Sequence, residues 1–387
     1  MAADSRYRFY EFFCGGGMAR LGLGRHWRCD FANDIDPAKL AAYADNFGAD
    51  VLRPGDVGDV APDELPGGAD LAWASFPCQD LSLAGPRGGL KAARSGVFYS
   101  FWRLMEALQG EGRAPRLIGL ENVPGLLTCS GGADFTALCE ALDAGGYRFG
   151  AVEIDARWFT PQSRPRLFVL ALRKDIPIPS DLALASEPDH LSPFLTGAVR
   201  RAAARLPEHL KASWVWWALP VPPRPNAALI DVLEPARATP WHSPEETRRL
   251  IAMMSAPSRA RLAEARKGPG PAAGALYRRM RVENGVKVQR AEVRFDGLAG
   301  CLRTPGGGSS RQFVVRVKNG KVRTRPMTTR EYARLMGLPE DYRLPARDNA
   351  ALHLAGDGVS VDAVAFLREN LFEPVLDHAR AGVLAAE

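Results

Sequence analysis

Cys78 follows Phe76-Pro77, precedes Gln79, and lies just beyond the apolar run Asp70-Leu71-Ala72-Trp73-Ala74. That run reads as a short strand, and Pro86, Gly88 and Gly89 mark the segment after Cys78 as a loop. Pro77 fixes its own backbone and pushes Phe76 toward an extended conformation, which gives the thiol a defined place. An arbitrary cysteine is usually a small buried hydrophobe. On a rigid loop at a strand's carboxyl end, it stands where open α/β sheets do their chemistry. A carboxylate takes the matching place on another strand, Pro115 to Leu120, which ends in Glu121-Asn122-Val123-Pro124. A loop glutamate is ordinarily just solvated; held between Leu120 and Val123, Glu121 is a candidate acid. Arg164 and Arg166 alternate with Ser163 and Pro165 ahead of the strand Leu167 to Leu172. They share one face of an extended segment and can hold a phosphate or a base oxygen.

These groups need a scaffold, and the first 60 residues describe one. The aromatic strand Tyr7 to Phe13 runs into Cys14-Gly15-Gly16-Gly17 and then a short helix from Met18. Strand, glycine turn and helix together let backbone N–H groups approach a ligand closely. A second strand ends in Asn33-Asp34-Ile35-Asp36-Pro37, placing Asp34 where nucleotide-binding sheets hold ribose hydroxyls. Its structural alternative is a helix cap, a role equally open to Asp36. Asp56, after Gly55, is a candidate acceptor for an adenine amino group. No Walker lysine pattern is present. Ribose and adenine acids without a phosphate site fit a nucleoside ligand such as S-adenosylmethionine. The pattern is that of an α/β fold.

The chain has 387 residues, more than one core usually serves, so two domains are expected. Its six cysteines show no CxxC spacing, which argues against a zinc site or a disulfide framework and fits a reducing cytoplasm. No run approaches the roughly 18 apolar residues of a membrane span, and no signal peptide is apparent. The net charge of +6 conceals an asymmetry. Residues 190–347 hold 29 Lys and Arg against 12 Asp and Glu, or +17; the remainder holds 21 against 32, or −11. The basic half is expected to grip a polyanion. Within it Pro244 to Lys267 reads as helical, Tyr277 to Phe295 and Phe313 to Val322 as strands, and Pro305 to Gln312 as a glycine loop. Arg303 and Arg311 flank that loop.

The order of these blocks resembles the DNA (cytosine-5) methyltransferase family. The resemblance rests on Phe13-x-Gly15-x-Gly17, Asn33 to Pro37, Phe76 to Gln79, Glu121-Asn122-Val123 and Gln162 to Arg166. Arg330 to Pro339 and Gly356-Asp357-Gly358-Val359 add the family's last blocks. It implies an S-adenosylmethionine-dependent, Rossmann-like catalytic domain (1–185, completed by 326–387) and a smaller, mostly β or irregular target recognition domain (186–325). It implies Cys78 as nucleophile, Glu121 on the base's N3 and amine, and Arg164 and Arg166 on its O2 edge. Phe13, Gly15, Gly17, Asp34, Ile35, Asp56, Pro77, Asp357 and Val359 would line the cofactor. Ser82, Arg303, Ser309, Arg311 and Gln312 would meet DNA. The expected partner is double-stranded DNA, the expected protein a monomeric, cytoplasmic bacterial enzyme of restriction–modification or phage defence, with no metal. Asp357 departs from the family's usual asparagine. An RNA methyltransferase and a catalytically dead DNA-binding regulator are the rival readings; the long basic insert favours duplex DNA, and Cys78 with Glu121 favours an enzyme.

Overall fold

The computed structural model describes residues 5–77, 96–187, 192–223, 225, 227–235, 239–304 and 311–384. The chain forms two compact units. One comprises Met1–Ile154, Pro165–Pro222 and Ala363–Glu387, the other Asp155–Arg164 and Pro223–Asp362.

The first unit is built on seven strands: β1 (Tyr7–Phe12), β2 (Trp27–Asp34), β3 (Leu52–Pro54), β4 (Leu71–Ala74), β5 (Leu117–Asn122), β6 (Tyr147–Asp155) and β7 (Pro165–Arg173). Their order is β3-β2-β1-β4-β5-β7-β6. Strands β1 to β5 pair in parallel, and β7 runs antiparallel to β5. Every residue of β4 and β5 is buried, as in a sheet covered on both faces. Helices α1 (Met18–Leu23), α2 (Pro37–Phe47), α3 (Val97–Gly110) and α4 (Ala133–Ala144) connect the strands. Helix α3 buries Phe98, Phe101, Trp102, Met105 and Leu108, one stripe at helical spacing. Asp36 caps α2, accepting from Ala38 and Lys39 N–H with Pro37 at the first helical position.

The second unit contains β10 (Ala272–Glu283), β11 (Val286–Arg294), β12 (Phe313–Lys318) and β13 (Lys321–Pro326), an antiparallel sheet in the order β11-β10-β12-β13. The intervening β8 (Ala183–Leu184) and β9 (Trp216–Trp217) form a small ribbon in the first unit. Asn284-Gly285 and Asn319-Gly320 turn the two hairpins, all four residues at positive φ. That is the pattern of a tight turn whose twist matches its strands. Helices α5 (Pro244–Ala252) and α6 (Ala256–Lys267) and the link between them lay Leu250, Leu262 and Met254 on one sheet face, against Leu276, Val293, Val315 and Val317. Two more helices lie beyond β13, α7 (Thr329–Leu335) and α8 (Asp348–Asp357).

The units divide at 222/223 and 362/363, whereas the sequence placed the divisions at 185/186 and 325/326. Backbone pairing explains the first shift. Phe149 N–H donates to the Ser213 carbonyl (2.9 Å) and Val215 N–H to the Phe149 carbonyl (2.7 Å). A Cβ on Gly150 would lie 2.0 Å from the Val215 carbonyl oxygen, so only glycine permits this approach. The second shift follows from an ion pair between Arg325 and Glu331, 1% and 0% exposed. The Glu331 carboxylate accepts from both terminal nitrogens of Arg325 and from Thr328 and Glu234 N–H.

The chain then returns to the first unit in α9 (Val361–Leu367) and α10 (Glu373–Leu384). Tyr7 O–H donates to Asp377 (2.5 Å) and Trp27 Nε1–H to Glu373 (3.0 Å). By length and composition the helical run Asp348–Gly382 could cross a membrane, but it breaks at Gly358–Ser360 and 61% of its most apolar window is buried in the protein. Core helices have that character.

Truncating Glu331 to alanine leaves the buried Arg325 charge uncompensated. Chemical denaturation of Glu331→Ala should show a loss of about 3–5 kcal/mol; a loss below about 1 kcal/mol would mean that water reaches the site.

Candidate active site

Parallel register brings four strand ends to one edge of the first unit's sheet. Phe12 lies opposite Asn33 and Ala74, and Ala74 opposite Leu120. Asp34, the turn Cys14–Gly17, Ser75–Pro77 and Glu121 therefore succeed one another along that edge. Strand β7 starts there too, with Phe168 opposite Glu121 and Leu167 opposite Asn122. Arg166, two residues before Phe168, sets its Nε 3.1 Å from Glu121 Oε1, with both side chains shielded from solvent. The neighbouring Asn122 donates its Nδ2–H to the Phe76 carbonyl (3.0 Å) and accepts from Val123 N–H (2.8 Å). That bond fixes the chain immediately before Pro77, which is exposed. Cys78, Ser82 and Ser309 lie outside the described residues. Burial pushes the thiols of Cys14 and Cys139 well up and that of Cys29 to about 12. Such thiols stay protonated and make poor nucleophiles.

The glycine turn is a built cradle. Phe13, Gly15 and Gly17 all have positive φ, uncommon for an aromatic residue, so the surroundings hold the turn. Cys14 N–H donates to the Asn33 carbonyl (2.9 Å). A Cβ at Gly17 would fall 2.4 Å from the Phe47 ring, whereas one at Gly15 would meet nothing within 4 Å. Gly17 thus serves packing, and Gly15 borders open space. Asp34 accepts from Gly15 N–H (2.8 Å) on one oxygen and from Asp36 N–H (2.9 Å) on the other. Each carboxylate oxygen retains a lone pair for a ligand. Beside it Ile35 is 68% exposed, an uncovered apolar surface. Asp56 is exposed and accepts from Gly58 N–H (2.7 Å). A cleft of about 490 Å³ by α3 and α4, bordered by Tyr99, Arg103, Glu106 and Glu140, contains none of the expected site residues.

Other expected residues belong to the second unit and are committed there. Arg164 is 1% exposed and donates to the carbonyls of Leu302 (2.8 Å), Gly356 (2.8 Å) and Gly358 (2.7 Å). It is a post that ties two chain segments together, not the base-holding group expected of it. Gln312, 3% exposed, exchanges both amide atoms with the backbone of Gly300, so it cannot serve as the expected DNA contact. Val359 is buried, and exposed Asp357 accepts from Thr304 O–H (2.6 Å). Arg311 pairs with Asp348 (2.9 Å), and Arg303 is exposed.

Sequence reasoning passed over Glu11. It sits in β1, 1% exposed, and accepts from Arg20 N–H (3.3 Å) just beyond the glycine turn. Its signal was a carboxylate inside an aromatic strand.

Known proteins share this framework. The family model described as C-5 cytosine-specific DNA methylase matches residues 7–373. The chain belongs to the C-5 cytosine-specific DNA methylase family. Type II methyltransferase M2.BsuMI of Bacillus subtilis is 35% identical over 190 residues, 48% of this chain and 46% of that protein. Type II methyltransferase M.HpaII of Haemophilus parainfluenzae is 24% identical over 389 residues, 95% of this chain and 90% of that one. The match thus spans less than half of M2.BsuMI, M.BsuFI and M.MspI. In fold, this methylase-family chain is similar to the S. pombe Dnmt2 methyltransferase, with a TM-score of 0.59, 16% identity and coverage of 96% and 99%. A methyltransferase structure encoded within an E. coli prophage gives 0.53 at 17% identity, covering 96% and 99%.

Burial raises the Glu11 carboxyl to about 8. The folded chain therefore keeps a proton that the unfolded chain has lost, and stability contributed by this group falls as pH rises from the ordinary carboxyl range toward 8. Melting temperatures between about pH 5 and about pH 8 should drop more for the wild type than for Glu11→Gln; parallel curves would refute the assignment.

Proposed function

We propose that the chain is a DNA (cytosine-5) methyltransferase acting on a cytosine swung out of duplex DNA, with Cys78 as covalent nucleophile. Family membership supports the reaction class. The observation that carries the residue assignment is the Glu121–Arg166 pair at the sheet edge, beside the Asn122 bond that anchors the segment entering Cys78.

The residues at that edge fit S-adenosylmethionine. Gly15 borders open space, Asp34 offers acceptors for ribose hydroxyls, and exposed Ile35 offers an apolar platform for adenine. When bound, S-adenosylmethionine supplies the methyl group, activated on a sulfonium sulfur, that C5 takes.

Cytosine C5 is a poor nucleophile, so the Cys78 thiolate adds to C6, and the new S–C bond converts the ring to an enamine. Glu121 bonds to N3 and the exocyclic amine and stabilises the charge that develops there. Arg166 orients Glu121 and reaches the O2 edge; Arg164, enclosed by carbonyls, is a positioning residue. After methylation water takes the C5 proton, the electron pair restores the C5–C6 bond and Cys78 leaves as thiolate. The base must leave the duplex to enter such a site. The relatives' names as type II methyltransferases support a role beside a restriction enzyme.

Cys78→Ser should keep duplex binding and lose tritium-methyl transfer, because the thiolate is the competent nucleophile; normal turnover by the serine variant would end the covalent mechanism. Duplex containing 5-fluorocytosine should trap the wild-type protein as a stable adduct only when cofactor is present. Glu121→Gln should slow transfer by about 10²–10⁴-fold, and a change under about tenfold would make Glu121 structural. DNA and tRNA assayed side by side test the substrate class, and bisulfite sequencing of DNA from expressing cells reads out the modified site.

A further inference from the structure

On the long β10–β11 hairpin three arginines have acidic partners, although Arg279 lies opposite Arg290. Arg281 pairs with Glu292, Arg290 with Glu283 and Arg294 with Asp296. The β12–β13 hairpin is built differently. Between Phe313 and Pro326 it contains no carboxylate, and its strand register sets Arg316 opposite Arg323 and Lys318 opposite Lys321. Among the described residues, none of these four cations has an acidic partner within salt-bridge distance. Like charges placed directly across an antiparallel pair repel and destabilise it. Val315, Val317 and Val322 turn to the hydrophobic core, so alternation puts all four cations on the face away from α5 and α6. Arg266, in the last turn of α6, donates to the Gly320 carbonyl (3.0 Å) and brings a fifth cation to this end.

An anion lying across this arrangement relieves the repulsion. We infer that this face of β12–β13 grips the phosphate backbone of duplex DNA. The inference rests on the reading of the chain as a DNA enzyme. Two further observations shape it. Ala272 lies opposite Val317 and Leu276 opposite Phe313, so the Asn319-Gly320 and Asn284-Gly285 turns point to opposite ends of the sheet. The two hairpins therefore address different surroundings. A single-stranded ligand would need aromatic faces for stacking. Trp241, the aromatic ring beside these cations, is already covered by Arg323 at 4.8 Å and Arg325 at 5.2 Å. A charged ladder without a stacking platform suits a duplex backbone, which binds through phosphates alone.

The test compares wild type with the double variant Lys318→Gln/Lys321→Gln, using a mixed-sequence duplex of about 40 base pairs between roughly 50 and 200 mM salt. Loss of two phosphate contacts should flatten the slope of log K against log salt by about two units. The same variant should melt at a higher temperature, because the opposed lysines no longer repel; this also reports that it folds. Lys318→Arg/Lys321→Arg should restore the wild-type slope. An unchanged slope in the glutamine variant overturns the inference, as does a weakening confined to single-stranded RNA. Failure of the wild-type protein to methylate plasmid DNA would instead overturn the parent reading, whatever the slope.

Discussion

Parallel pairing is the constraint on which the first unit depends. Once β1, β2, β4 and β5 run in one direction and in register, their carboxyl ends must emerge at the same edge. A glycine turn, the Asp34 carboxylate, the segment leading to Cys78 and a glutamate arrive together without any residue of one strand adjoining another in sequence. The antiparallel β7 then contributes the one group the parallel strands cannot, a cation entering from the opposite direction. Arg166 reaches Glu121 because β7 begins where β5 ends. The active edge is therefore a property of strand direction first and of side chains second.

The second unit works by the management of charge. An excess of cations that looks uniform along the chain resolves into three classes. Some arginines are structural, as Arg164 among its carbonyls and Arg325 against Glu331. Some are neutralised on the surface, as along β10–β11. A few, on β12–β13, stand opposed to one another with no acid pairing them among the described residues. Counting charges cannot separate these classes, because it is register that assigns each residue its neighbour.

Legibility in the sequence divides along the same line. Strand existence came through wherever proline, glycine and apolar spacing act locally: Tyr7–Phe12, Leu71–Ala74 and Leu117–Asn122 stand where their patterns place them. Asp36 as a helix cap was legible for the same reason. The Asn-Gly pairs at 284–285 and 319–320 were available signals for the two hairpins and went unused. The insertion of β7 between β5 and β6 was not legible, since no local pattern encodes strand order. Nor was the fate of Arg164 and Gln312. Both belong to motifs that suggest ligand contact, and both are consumed by backbone groups, 138 residues away for Arg164 and 12 for Gln312. The first unit boundary depends on the backbone approach at Gly150, which involves no side chain at all.

The bonds from Tyr7 to Asp377 and from Trp27 to Glu373 join the first strands of the chain to its final helices. On the ribosome, these helical partners of β1 and β2 emerge only after the whole of the second unit has been made. The earliest-synthesised strands must wait, with aromatic surface uncovered, for 346 further residues in the case of Trp27. The second unit's sheet, by contrast, is made of near neighbours in sequence. Assembly during synthesis thus runs against the order of the chain, with the second unit able to close first and the first unit sealed last. A nascent chain of this architecture carries a closed second unit while the strands of its first unit still wait for their last helices.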